Sequence, residues 1–171
     1  MRPLALSDAP EIQRPFSNWN IVKNLATVVP WPHLDDGAET YAKRELGKIA
    51  AGEEIYQWVL VLRSRDGAIA NIRFDPRVDH PTGNRGFWLA EPYGNQGLMT
   101  EAVQSVNDFV FRRLGVESFH VCYVASNEAS RRVKQKTGAE FAGFIEIAHH
   151  NGQTRAEKWR VTRKSWLRRD L

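Results

Sequence analysis

The stretch GFWLAEPYGNQGLMTEA, residues 86–102, takes the chain from an extended apolar run through two glycines into a helix. Backbone N–H groups at such a helix start have no intrahelical partner and sit at the positive end of the helix dipole. A phosphate or pyrophosphate therefore fits against Asn95, Gln96, Gly97, Leu98, Met99 and Thr100. Glycine allows close approach because it has no Cβ, and Asn95 is among the few other residue types that tolerate left-handed torsions. Taken alone, the loop reads equally as an ordinary glycine turn before a helix. It is not a Walker loop, since no Gly-Lys-Ser/Thr follows. Nor is it a dinucleotide fingerprint, since the strands before it form hairpins rather than a βαβ unit.

Upstream, IYQWVLVLR (55–63) and AIANIRF (68–74) are nearly continuous apolar runs separated by Asp66-Gly67, which predicts a hairpin ending at Pro76. A polar loop over residues 75–85 leads into the strand GFWLA. Downstream, Ala102, Val103, Val106, Phe109, Val110 and Leu114 recur at helical spacing, Gly115 supplies the stop, and SFHVCYVA (118–125) reads as a strand. Asn127 to Ser130 opens another helix that ends near Gly138. Two last strands, roughly 140–149 and 153–162, flank the hairpin signal Asn151-Gly152.

Three helices are expected before the sheet. Ser7-Asp8 with Glu11 starts the first, whose inward face is Ile12 and Phe16, and a short second helix runs from about Asn20 to Ala26. The loop Val29-Pro30-Trp31-Pro32-His33 is held extended by its prolines. Asp35, Asp36 and Glu39 begin the third helix, with Tyr41, Leu46 and Ile49 on its apolar side and a stop near Gly52. This order of elements is that of an α+β, or mixed α/β, domain.

With 171 residues, 42% hydrophobic and 26% charged, the chain is expected to form one domain over residues 1–171. No apolar run is long enough to cross a bilayer and the first residues lack signal-peptide order, so a cytoplasmic protein is expected. Cys122 is the single cysteine, and in its strand it reads as a small hydrophobe. His33, His80 and His120 share no metal-ligand spacing with each other or with Cys122, so no metal is expected. The net charge of +4 suits an anionic ligand. Nucleic acid is disfavoured because the basic residues are split into two groups without interleaved aromatics. One group lies over Arg131 to Lys136. The other, Arg163, Lys164, Arg168 and Arg169, reads as a solvated tail.

The Ser-Asp-Ala-Pro run at 7–10, Val-Pro-Trp-Pro at 29–32, Gly-Phe-Trp-Leu at 86–89, Tyr93, Gln96-Gly97 and Thr100-Glu101-Ala102 occur in a fixed order. They are followed by Asn127-Glu128-Ala129-Ser130-Arg131-Arg132 and Thr137-Gly138-Ala139. Over nearly the whole chain this series resembles the GNAT superfamily of N-acetyltransferases, in its branch that acetylates ribosomal-protein N-termini. The chain departs from that pattern at Gly94, Asn95 and Met99, and its first strand is expected to be shortened or absent.

The resemblance implies a central, mostly antiparallel sheet flanked by helices and splayed at the strand 87–90, where the pantetheine arm of acetyl-CoA adds like a strand. Backbone groups of Leu89 and Ala90 would hold the thioester, a strand N–H would face the developing oxyanion, and residues 95–100 would take the pyrophosphate. Arg131, Arg132 or Lys134 would meet the remaining phosphate. The implied reaction is direct attack of a primary amine, of a protein N-terminus or a small molecule, on the thioester. Ser130 would be the acid that protonates the departing thiolate and Asn127 would orient the cofactor arm; the plain alternative is that both residues cap their helix. Glu146, His149 and His150 are the nearest candidates for the base, the alternative for the two histidines being that they stand exposed and idle beside the Asn-Gly turn. The early helices and the loop from Pro30 to His33 would build the acceptor pocket, with Trp19, Trp31 and Trp88 as its walls, the alternative for each being core or lid packing. Competing functions are a small-molecule or antibiotic detoxifying acetyltransferase and a non-catalytic acyl-CoA sensor. Whether an edge strand pairs two copies into a homodimer is left open by the sequence.

Overall fold

The apolar runs around residues 55–74 become the centre of an antiparallel sheet, and the computed structural model describes it within residues 1–64, 67–78 and 80–168. Asp66 of the expected hairpin turn and Arg169 of the basic tail lie outside these residues. The first sheet has the order β1 (Arg2–Pro3), β2 (Tyr56–Val61), β3 (Ala68–Phe74), β4 (Arg85–Leu89), antiparallel throughout. The shortened edge strand is therefore present as a two-residue pairing of Arg2 and Pro3 with Val59 and Trp58. The second sheet has the order β5 (Ser118–Val124), β7 (Arg155–Thr162), β6 (Glu140–Glu146), again antiparallel.

Alternation along the strands makes two cores. Leu60, Ala70, Ile72 and Phe74 pack with Phe87 and Leu89 against the long helix α4 (Leu98–Asp108) and the second sheet, through Val103, Val106, Phe119, Val121 and Trp159. Val59, Ala68 and Trp88 face the other way, onto Ile12 and Phe16 of α1 (Ala9–Phe16), Val22 of α2 (Trp19–Val22), and Ala38 and Ala42 of α3 (Gly37–Ala50). α4 runs on into a wider π-helical turn over Phe109–Arg113, which places Phe109 edge-on to Tyr56 and Trp58, 5.1 and 5.4 Å between centroids.

Two expectations are corrected. α3 buries Ala38, Ala42 and Glu45, whereas Ile49 is exposed. The carboxylate can point inward because Arg44, Lys48, Gln57 and Arg73 all donate to it; burial alone would raise its pKa, but these partners hold it below the usual range. Within residues 163–168 the C-terminal basic group is helical rather than a tail, with Lys164 and Arg168 exposed. Arg163–Leu167 form α6, capped by Thr162, with Trp166 buried and its indole N–H 2.8 Å from Asp108 Oδ1.

The sheets meet where β4 begins. Asn84 N–H donates to His120 O at 2.7 Å, His120 N–H donates to Asn84 Oδ1 at 2.9 Å, and Gly83 bridges Val121. Beyond Arg85 no ladder joins β4 to β5 among the described residues, and the strands part.

Candidate active site

The parting of β4 and β5 opens a cleft of about 310 Å³. Its walls are β4 (Phe87, Trp88, Leu89), the loop and start of α4 (Tyr93, Gly94, Asn95, Gly97, Leu98, Met99, Thr100), α5 (Glu128–Lys136) and residues of α2 and the turn after it. On β4 the N–H of Ala90 donates to Ile69 O at 2.9 Å, so it points toward β3. Successive backbone groups of a strand point to opposite edges, so the N–H and C=O of Phe87 and Leu89 face the opened side. The backbone of Leu89 therefore faces the opened side, whereas the N–H of Ala90 is already bonded to β3.

Asn95 has φ of 60° and Gly97 φ of 81°, and these two left-handed residues turn the chain into α4. Gly97 is the N-cap and offers no side-chain acceptor. The first helical bond is Glu101 N–H to Gly97 O, so the N–H groups of Leu98, Met99 and Thr100 have no intrahelical acceptor. A Cβ built on Gly97 would meet nothing within 4 Å. The loop is therefore a cradle open to the cleft, and Arg132 and Lys136, one turn apart on α5, line the same space. Met99 packs beneath the helix start, 5% exposed, and also borders the cleft. Donor set, charge and open volume all fit a pyrophosphate.

Across from the cradle, Asn127 caps α5 by accepting from Ser130 N–H at 3.0 Å. Ser130 lines the cleft though only 7% exposed, and its Oγ accepts from Lys134 Nζ at 2.7 Å. Burial, then the charge of Arg85, pushes Lys134 down to about 7. Arg131 is tied to Glu157 at 2.5 Å and to Tyr123 Oη at 3.0 Å, with Glu128 at 3.1 Å. Of the three cations expected to meet a phosphate, only Arg132 lines the cleft; Arg131 is held by carboxylates and Lys134 is turned into the core.

Residues 1–140 match the acetyltransferase (GNAT) domain family. The chain belongs to that family. GNAT enzymes transfer acetyl groups from acetyl-CoA, and among solved structures the chain is similar to several GNAT proteins. One is a ribosomal-protein-S5-alanine acetyltransferase from Vibrio fischeri, with 17% identity, 96% of this chain and 93% of that one covered, and TM-score 0.80. A second is RimJ from Mycobacterium smegmatis in complex with CoA-disulfide, with 16% identity, coverage of 94% and 80%, and TM-score 0.79. A third is RimL, a ribosomal L7/L12 α-N-protein acetyltransferase in complex with coenzyme A, with 15% identity, coverage of 94% and 92%, and TM-score 0.77. No curated protein matches the sequence. The splayed, antiparallel architecture read from the sequence is the GNAT architecture found here.

This GNAT cleft brings together Leu89, Asn95, Gly97, Leu98, Met99, Thr100, Asn127, Ser130, Arg132 and Trp88. Ala90, Gln96, Trp31, Glu146 and His149 are not in its lining. Gln96 turns its amide back onto Pro92 O at 3.1 Å, and Trp31 packs on Trp19 with the rings tilted, 5.3 Å between centroids. Glu146 is exposed at the end of β6, opposite Arg155. His149 is not exposed as its neighbouring Asn-Gly turn suggested; at 7% it is buried where the chain bridges Ala26. Trp88 lines the cleft with one edge and packs on Phe16 with the other, at 5.3 Å, so it is wall and core at once. The early helices were expected at the acceptor pocket without residues being named; Asn20, Ile21, Asn24 and Leu25, of α2 and the turn after it, line the cleft. Their signal was there, a polar pair and an apolar pair each four residues apart. No helix among the described residues is long and apolar enough to cross a membrane, and none of their His, Cys, Asp and Glu residues form a group of three or more able to hold a metal.

Proposed function

We propose that the protein moves an acetyl group from acetyl-CoA to a primary amine by direct attack within this cleft. The observation that carries the reading is the meeting of an uncapped helix start at Gly97, the free edge of β4 and the hydroxyl of Ser130 around one space. The N–H groups of Leu98 to Thr100 and the Arg132 guanidinium hold the phosphates. The β4 edge at Phe87 and Leu89 pairs with the pantetheine amides, and Leu89 N–H stabilises the carbonyl oxygen as it gains charge. Ser130 gives its hydroxyl proton to the departing sulfur.

The cleft lining among the described residues contains no Asp, Glu or His, so the acceptor arrives as the free amine and gives up its second proton to water. Asn20, Ile21, Asn24 and Leu25 form the acceptor wall. The acceptor is the N-terminus of a protein or a small amine. The resemblance of the fold to enzymes that modify ribosomal-protein N-termini supports testing the first class first.

Calorimetric titration with acetyl-CoA, followed by thiol release against N-terminal peptides and small amines, tests the whole reading. Binding with release onto one class names the acceptor. Tight binding with no release onto any amine would make the protein an acyl-CoA sensor instead.

A further inference from the structure

Behind Ser130 lies a lysine that the steps above leave unused. Lys134 is 2% exposed, one turn along α5 from Ser130, and its Nζ is 2.7 Å from Ser130 Oγ. Aromatic faces close around it: the Tyr123 ring of β5 at 4.4 Å and the Phe87 ring of β4 at 5.4 Å. An ammonium has three donors and no lone pair, so in this contact the serine oxygen must accept. The hydroxyl hydrogen is then directed away from Nζ, and the open side of Ser130 is the cleft it lines. A neutral amine at the same place has a lone pair, and the serine can turn its hydrogen inward to it. The protonation state of Lys134 thereby decides whether Ser130 shows the cleft a donor or a lone pair.

We propose that Lys134 is a positioning residue for acyl transfer, aiming the Ser130 hydroxyl at the leaving sulfur and replacing the proton that Ser130 gives up. The inference rests on Ser130 being the acid. The carbonyl carbon–sulfur bond breaks with its electron pair going to sulfur, the Ser130 proton moves to that sulfur, and a proton from Lys134 Nζ moves to Ser130 Oγ. The neutral Lys134 regains a proton from the one that the new amide nitrogen releases to water.

The groups facing Lys134 suit it to this cycle. Arg85 from β4 acts against its charge and Glu157 from β7 acts in favour, while the Cys122 thiol of β5, pushed up to about 11 by burial, is neutral where Lys134 titrates. Tyr123 donates to Glu157, and Arg131 of the same helix neutralises that carboxylate at 2.5 Å. Burial outweighs the favourable partner and brings the ammonium down to about 7, where it can both give and regain a proton near neutrality.

The test uses wild type, Lys134→Met, Lys134→Arg and Ser130→Ala with acetyl-CoA and the amine found by the acceptor panel. It adds a reading that needs no turnover, carbon NMR of ε-labelled lysine titrated with and without free coenzyme A. Lys134→Met should lower kcat by roughly tenfold or more and leave the KM for acetyl-CoA within about twofold. Wild type should show a limb of kcat falling with a midpoint near pH 7, and Lys134→Arg should keep part of the rate without that limb, since a guanidinium stays charged. In the NMR titration the Lys134 midpoint should move in Ser130→Ala.

If Lys134→Met keeps the wild-type kcat and pH profile while Ser130→Ala loses rate, the lysine role is wrong and the serine role stands. If Ser130→Ala itself keeps its rate, the serine reading falls and this inference with it. Should the Met variant fail to fold, a Lys134 midpoint unchanged by Ser130→Ala overturns the inference from the wild-type background alone.

Discussion

Two helices begin at the same cleft, and they begin differently. α5 is closed by its own side chain, Asn127 accepting from Ser130 N–H, whereas α4 starts at Gly97 with no side-chain cap and left-handed torsions. A helix start that satisfies itself has little left to offer a ligand, so α5 presents side chains to the cleft, Ser130 from its first turn and Arg132 from the next. A helix start left open contributes its backbone. The cradle and the chemical wall are therefore two uses of one structural device, told apart by a single residue at the N-cap.

The comparison is broken most severely at Gly97. Gly97→Leu should weaken acetyl-CoA binding by roughly a hundredfold, because the side chain would stand where the phosphate belongs; calorimetry showing wild-type affinity would remove the cradle.

Lys134→Met comes next in size and acts on stability. Removing a buried cation in favour of an apolar chain of similar length should stabilise the fold by about 1–4 kcal/mol at pH 6. The folded pKa of Lys134 lies below its unfolded value, so the unfolded chain binds more protons between about 7 and the ordinary lysine pKa, and wild-type stability rises with pH across that window. The gap between variant and wild type should narrow from pH 7 toward pH 10, and thermal melts that stay parallel would show that the amine is not buried as described.

Asn127→Ala should cost about 1 kcal/mol of stability through the lost cap, read by denaturant unfolding, while acetyl-CoA affinity changes by less than about threefold. A larger loss of affinity with unchanged stability would give Asn127 a direct part in binding. Arg132→Ala should be the smallest, weakening binding by about two- to threefold, with the difference fading at high salt because the guanidinium is exposed.

The fold was readable where the pattern had one cause. Strand runs such as AIANIRF at 68–74 coincide with β3, and Gly115 and the Asn95–Gly97 turn lie where the backbone takes positive φ. Reading failed where polar groups found partners far away in sequence. Glu45 points inward because Arg73, 28 residues on, reaches it, and Trp166 is anchored by Asp108, 58 residues back. No periodicity contains that information. At the site, the glycine turn into α4 follows from local spacing, whereas Ser130 is singled out by the resemblance and spacing alone reads it as a cap. That Arg131 is held away from the cleft depends on Glu157 of β7, and that Glu146 lies outside its lining depends on how β6 ends, and both are tertiary facts.

The clasp between the sheets bears on how wide the cleft can be. Gly83 has φ of 88°, and a Cβ there would come within 3.0 Å of Cys122 N, so the backbones touch as closely as they can. Asn84 ties that contact to Asp75 O, Arg77 O and His120 N in one buried knot. The two strands behave like the blades of a pair of shears riveted at Asn84. A fraction of an ångström of slack at the rivet becomes a wider gape at Leu89, so a residue outside the cleft lining sets how far its two walls part.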